Sequence, residues 1–315
     1  MTRQRWVYPA GSRSRDDSAV VIDESIDGWQ YTGLTVLALD PGQSRTVELP
    51  GREAIVLPLS GGCTVTVTGT DGEHTAELAG RASVFTGPTD IVYAPADSRL
   101  TITADPGRPA RIAVCTALAK AGSTAPFAYL PAAQVPVELR GAGRASREVR
   151  NFGTPQTLDA TAIIACEVIT PAGNFSSHPP HKHDVERPGS ETELEEIYYF
   201  EVRAAAEAPS DADPVGYQRV YASDDRPIDV LAEVRSGDVV LVPYGWHGPA
   251  MALPGYDLYY LNVMAGPGPE RAWLICDDPA HGWVRGLWAD EPVDPRLPMG
   301  HPADQKQGNP QGDNR

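Results

Sequence analysis

The stretch Ala54-Ile-Val-Leu-Pro-Leu59, Gly61-Gly62, Cys63-Thr-Val-Thr-Val-Thr68, Asp71-Gly72, Thr75-Ala-Glu-Leu78 reads in short apolar or alternating runs broken by turn-forming pairs. Period-two alternation sends successive side chains to opposite faces of an extended chain, and β-branched Val and Thr suit a pleated surface. The pattern extends outward. Residues 35–39 and 45–49 precede the stretch, 82–85, 90–94, 100–104 and 111–116 follow it, and Asp105-Pro106-Gly107 supplies a further turn. A second series covers 162–168, 196–202, 218–221, 230–234, 239–242, 257–264 and 272–276. Many short strands separated by turn residues predict an all-β chain of two successive sandwiches or barrels.

Composition agrees. The chain has 315 residues with 30 Gly and 30 Pro, and its 41% hydrophobic and 22% charged content is that of a globular protein with room for two cores. A net charge of −16 opposes nucleic-acid binding. Asp90-Ile-Val-Tyr-Ala-Pro95 resembles Asp238-Val-Val-Leu-Val-Pro243, as an internal duplication would. Residues 117–150, with Pro126, Pro131 and Pro136, read as a connector, so the expected units are 1–140 and 141–288. The polar, proline-rich segment 289–315 is expected to be a disordered tail. The first 28 residues carry Arg3, Arg5, Arg13 and Arg15 without an apolar core, and no run is long and apolar enough to span a membrane. Cys63, Cys115, Cys166 and Cys276 lie far apart with no CxxC pair, which fits buried, reduced thiols and a cytoplasmic location.

Histidine is scarce, yet three of the seven fall in His178-Pro-Pro-His181-Lys-His183. On an extended strand, residues two apart share a face at roughly 7 Å, so His181 and His183 can converge while Lys182 and the offset His178 point elsewhere. Glu195-Glu196-Ile-Tyr-Tyr-Phe offers two carboxylates, of which one can face inward. Gly237-Asp-Val-Val-Leu-Val-Pro243-Tyr-Gly245-Trp-His247 delivers a further imidazole from a Pro/Gly turn. Three histidines and one carboxylate suit a divalent ion with positions left for substrate. Satisfied core histidines are the plainer reading, and four of seven at compatible spacing outweigh it. The intervening residues 184–194 read as an exposed loop able to cover the site as a lid.

Residues 181–247 resemble the paired motifs of the cupins, with a longer gap before Glu195 and one residue fewer between Gly245 and His247. The resemblance implies two tandem cupin (jelly-roll type) barrels. The first would be degenerate, since Ser60-Gly-Gly-Cys-Thr-Val and Asp97-Ser98-Arg99 stand where ligands would be, and it would bury surface against the second barrel or another subunit. The runs Ser-Ser-His-Pro-Pro-His-Lys-His-Asp, Leu-Glu-Glu-Ile-Tyr-Tyr-Phe, Gln218-Arg-Val-Tyr221 and Gly255-Tyr-Asp-Leu-Tyr-Tyr-Leu-Asn-Val-Met-Ala-Gly266 together look like the 5-deoxy-glucuronate isomerase family of inositol catabolism. That family is similar to 4-deoxy-5-threo-hexosulose-uronate ketol-isomerase. The likeness implies aldose–ketose isomerisation of 5-deoxy-glucuronate to 5-dehydro-2-deoxygluconate. It also implies one divalent metal ion, zinc first, with manganese or ferrous iron also suited. Lining up Glu195-x-x-Tyr198-x-Phe200 gives the ligands as His181, His183, Glu195 and His247.

A uronate needs local positive charge, for which Arg219 and Arg271 are candidates, with Lys182 as a point charge. Ordinary surface ion pairs are as good a reading for each. Proton-transfer candidates are Glu196, Tyr221, Asp257, Tyr259 and Tyr260, although buried tyrosines more often serve packing. A ferrous dioxygenase could use the same shell. A sugar-sensing cupin would need a DNA-binding helical segment, which the sequence lacks, and a storage bicupin would need no ordered ligand set. The expected partner is a small deoxy-uronate, with no nucleic acid and no membrane, and a homo-oligomer is compatible.

Overall fold

A computed structural model describes residues 4–16, 18–223 and 226–300. The strand Arg52–Gly69 organises the first half. Its early part lies between Ala110–Leu118 and Ile91–Ala94, and its later part between Gly72–Arg81 and Arg99–Ala104. Gly61-Gly62, expected to be a turn, sits inside this single strand. There the register shifts and Gly61 takes φ +80, so the strand bends from one sheet direction to the other. A Cβ at Gly61 would lie 2.6 Å from the Pro109 carbonyl oxygen, which excludes a larger residue. Residues 82–85, expected as a strand, instead form a 3-10 turn over Val84–Thr86, capped by the Ser83 hydroxyl.

Alternation along Arg52–Gly69 divides the cores. Ala54 and Val56 join Leu37, Ile112 and Val114 inside the first barrel. Ile55 and Leu57 face the opposite way, into the large cluster shared with Ile164, Tyr199 and Val263 of the second half. The first barrel's sheet is therefore apolar on both faces, and one face docks the second barrel.

The second barrel has two sheets. The seven-stranded sheet runs Val7–Tyr8, Val239–Val242, Glu195–Ala204, Tyr256–Ala265, Ile164–Thr170, Arg147–Gly153, Val137–Arg140. The six-stranded sheet runs Arg226–Val234, Gly216–Ser223, Trp246–Ala252, His181–Lys182 and Cys276–Asp277, with Phe175–Ser176 on Trp246–Ala252. Two boundaries differ from expectation. Val137–Arg140 pairs with Arg147–Gly153, so the crossover between barrels lies between Leu130 and Val137 rather than at 140. The N-terminal arm crosses over, with Val7 opposite Val240.

Reciprocal carboxylates lock the barrels together. Glu53 of the first accepts from the backbone N–H groups of Thr161, Ala162 and Ile163 at 2.8, 2.7 and 2.6 Å. Glu195 of the second accepts from those of Gln30, Tyr31 and Thr32 at 3.2, 2.7 and 2.6 Å. The tail expectation also needs correction. Through Gly300 the segment is pinned by Asp294 N–H to Ser146 Oγ (3.0 Å), Arg296 to the Ala172 carbonyl (2.9 Å) and Met299 N–H to Glu148 (2.6 Å), and Leu297 is buried. Residues 301–315 lie outside the described residues. Cys63, Cys115 and Cys166 are buried free thiols, whereas Cys276 is half-buried.

Candidate metal centre

His183, Glu196 and His247 converge, their ligand atoms all within 4.8 Å of one another, and all three are buried. His183 Nε2 and His247 Nε2 each lie 3.1 Å from Glu196 Oε2. The His181 ring centroid is 4.5 Å from that of His247, opposite which it is paired in the sheet. Both sheets of the second barrel contribute: Glu196 stands on the seven-stranded sheet, while His181 and His247 stand on the six-stranded one.

Each imidazole is oriented from behind. His181, His183 and His247 place Nδ1 at 3.3, 3.1 and 3.3 Å from the carbonyl oxygens of Pro179, Leu194 and Gly245. A carbonyl only accepts, so Nδ1 carries the proton and Nε2 presents a lone pair inward. His247 Nε2 is buried without a hydrogen-bond partner although Glu196 Oε2 lies 3.1 Å away. Two lone pairs and an anionic oxygen in contact repel unless a cation lies among them, and this donor set therefore fits a divalent ion. Burial raises the Glu196 carboxyl, but His183 and His247, each 3.1 Å away, outweigh it and bring it down to about 2. Burial, with His247 and His183 adding to it, holds His181 well below its ordinary value. Burial also pulls His183 down, but Glu196 outweighs it and the net direction is upward.

Glu195, the carboxylate expected as ligand, points to the other face. On Glu195–Ala204 the even positions Glu196, Tyr198 and Phe200 turn into the second barrel, and the odd positions Glu195, Tyr199 and Glu201 turn to the first. Glu195 is consumed as a backbone cap there. Alternation also removes Asp257 and Tyr259 from the site. Asp257 binds Arg203 (2.7 Å) and the Ala172 N–H (2.9 Å), and Tyr259 donates to Glu167 (2.8 Å) between the barrels. Tyr221 and Arg219 lie on the outward positions of Gly216–Ser223; Tyr221 donates to Asp278, and Arg219 pairs with the exposed Asp229. Arg271 donates to the backbone carbonyls of Ile163, Leu158 and Gly153 at 2.7, 2.6 and 2.8 Å and is a structural clamp.

Lys182 faces away from the imidazoles and is paired with Asp184 (2.6 Å) and Glu191 (2.7 Å). This buried triad ties down the loop expected to act as a lid, leaving only residues 187–190 exposed. Asp184 also accepts from the Gly245 N–H at 2.9 Å, fixing the turn that delivers His247. Gly245 takes φ +93, and a Cβ there would lie 2.6 Å from the Tyr221 carbonyl oxygen.

A cleft of about 460 Å³, counting its part open to solvent, rises over this centre. Its lining includes His181, Glu196, Ser177, Tyr198, Tyr260 and Arg147. Ser177 Oγ lies 3.2 Å from both the Tyr198 and Tyr260 hydroxyls, and its φ of +48 is a left-handed conformation that costs a non-glycine residue about 1 kcal/mol or more. Burial pushes the Tyr198 phenol well up and the Tyr260 phenol up to about 12. Tyr260 is thus the one proton-transfer candidate besides Glu196 that the cleft contains. Tyr198, Ser177 and Arg147 were not singled out from sequence; the inward parity that Tyr198 shares with Glu196 on Glu195–Ala204 was the signal for it.

A family model described as KduI/IolB matches residues 6–284. The 5-deoxy-glucuronate isomerase of Geobacillus kaustophilus (strain HTA426) is 39% identical over 281 residues, 89% of this chain and 95% of that protein. The protein of the same name from Bacillus subtilis (strain 168) is 39% identical over 259 residues, covering 81% and 88%. The crystal structure of an IolB-like protein from Salmonella typhimurium LT2 is 33% identical with a TM-score of 0.76, covering 89% of this chain and 98% of that one. Oxalate decarboxylase from Lactobacillus farciminis, in its formate complex, is only 11% identical but has a TM-score of 0.62 over 88% of this chain and 89% of its own. That likeness is one of fold, and the architecture is all-β with cupin-type barrels in tandem. The chain belongs to the KduI/IolB family.

Proposed function

We propose that this chain is a metal-dependent aldose–ketose isomerase that converts 5-deoxy-glucuronate to 5-dehydro-2-deoxygluconate in inositol catabolism, a cytoplasmic enzyme acting on a small molecule. The observation that carries the reading is the convergence of His183, His247 and Glu196, with His181 beside them, at a cleft in a chain whose relatives bear that activity as their name. His181, His183, Glu196 and His247 would hold the ion. Three neutral imidazoles and one carboxylate would leave a divalent cation with net charge of about +1, a Lewis acid for the two adjacent oxygens of an aldose, without redox change. Zinc, manganese and ferrous iron all suit that role.

The remaining lining groups act on protons and orientation. Tyr198 and Tyr260 are protonated at neutral pH, as ordinary phenols are, and burial raises both further, so their hydroxyls serve as donors to substrate oxygens. Ser177, between them, fixes where those hydroxyls point.

Incubating metal-loaded protein with 5-deoxy-glucuronate and following the aldehyde resonance by NMR tests the reading. The expected result is loss of the aldehyde and appearance of the ketone with no oxygen uptake. Stoichiometric oxygen consumption would instead establish a dioxygenase, and faster turnover of glucuronate or a hexosulose-uronate would reassign the substrate.

A further inference from the structure

We propose that Arg147 is the residue that receives the substrate's carboxylate, an inference that rests on the uronate reading above. Three arginines line the cleft: Arg140, Arg147 and Arg285. Two already have acidic partners, Arg140 with Glu138 at 2.8 Å and Arg285 with Asp277 at 2.7 Å. Arg147 has none in ion-pair range among the described residues. Its Nη1 donates to the Ala145 carbonyl at 3.1 Å, and its guanidinium lies 5.8 Å from the Trp288 ring centroid. Arg271, the other half-buried guanidinium described above without an anion, has three carbonyl acceptors, whereas Arg147 has one.

The surroundings sharpen the point. Arg140 stands directly opposite Arg147 across the strand pair, and like charges in that position destabilise a sheet unless an anion joins them. His178 lies in the same electropositive neighbourhood, with Nδ1 buried and unpartnered, and its imidazole is held down by burial and then by His281, Arg147 and Arg285. Burial lowers the Arg147 guanidinium to about 10, with Arg140 and Arg285 contributing, which leaves it charged at neutral pH. Arg147 lines the same cleft as Glu196, His181 and Tyr260. The Ala145 carbonyl takes one N–H of the guanidinium, and its other N–H groups can form a bidentate fork with a carboxylate. A deoxy-uronate carries its aldehyde at one end and its carboxylate at the other. The imidazole cluster takes the first and Arg147 the second.

The test compares wild type, Arg147→Gln and Arg147→Lys on 5-deoxy-glucuronate and on 5-deoxy-glucose, which has a hydroxymethyl group in place of the carboxylate. Arg147→Gln should raise KM for the uronate about 10- to 100-fold with kcat within a few-fold, lower kcat/KM for the neutral sugar by no more than a few-fold, and retain metal. Arg147→Lys should recover part of the loss. Equal losses on both sugars, or none on either, would overturn the assignment while leaving the isomerase reading intact. If wild type turns over neither sugar, the isomerase reading fails, and calorimetric titration of the metal-loaded protein with gluconate and with sorbitol decides the residue. Gluconate affinity that falls in Arg147→Gln, with sorbitol affinity unchanged, supports it; gluconate affinity equal in the two proteins overturns it.

Discussion

A Glu196→Gln variant is expected to lose its metal and about 100-fold or more of its activity, whereas Glu195→Gln keeps both and loses stability instead. The two side chains are neighbours in sequence and sit on opposite faces of one strand. Glu196 meets His183 and His247 at 3.1 Å inside the second barrel, while Glu195 accepts three backbone N–H groups and the Thr32 hydroxyl of the first. An amide at 196 removes the only negative charge from the ligand set. At 195 it turns a group that only accepts into one that also donates, toward backbone groups that can only donate, at a cost of about 1–3 kcal/mol. Metal analysis and thermal unfolding of both variants separate these outcomes. Metal lost from the Glu195 variant and kept by the Glu196 variant would reverse the assignment of faces.

Glu167→Gln is expected to cost about 3–5 kcal/mol at neutral pH. Glu167 is 1% exposed and joins the barrels. It accepts from both terminal nitrogens of Arg81, Nη1 at 3.1 Å, and from Tyr259 at 2.8 Å, and it lies 3.6 Å from Arg150. Arg150 is itself fully buried, pairs with Glu148 at 2.7 Å and donates Nη1 to the Val84 and Gly87 carbonyls, both at 2.7 Å. Removing the negative charge leaves Arg81 without a carboxylate partner among the described residues and Arg150 with Glu148 alone. Burial raises the Glu167 carboxyl, but Arg81 and then Arg150 outweigh it and the net direction is downward. A carboxylate depressed by folding stabilises above its unfolded value of about 4.3 and loses that contribution as pH falls toward the folded value. Urea titrations should therefore show the gap between wild type and variant narrowing below about pH 4. A gap under 1 kcal/mol at pH 7 would show that the network is not coupled to folding.

The fold was legible because its strands carry period-two patterns, and the imidazoles because three of them crowd into six residues of a histidine-poor chain. What misled was local ambiguity. A Gly-Gly pair is the same in a hairpin turn and in a bulge, and only the partner strands Gly72–Arg81 and Ala110–Leu118 make Gly61 the latter. The choice between Glu195 and Glu196 failed for a related reason. Alternation identifies inward and outward faces when one is polar, but Glu195–Ala204 is covered on both, with Tyr198 and Phe200 on one side and Ile197 and Tyr199 on the other, all buried. The face given to the first barrel is a property of docking, which no local pattern records. Asp257 and Tyr259 were misplaced by the same symmetry. Arg147 stayed hidden because its cleft is assembled from strands and loops spanning residues 140 to 285, and because Arg219 and Arg271, nearer the motifs, are occupied elsewhere.

Metal analysis of the purified, active chain before and after dialysis against a strong chelator tests the central claim most directly. One divalent ion per chain, activity abolished by its removal and restored by adding it back, is the predicted result. Full turnover from a sample stripped of metal would contradict the role given to His181, His183, Glu196 and His247.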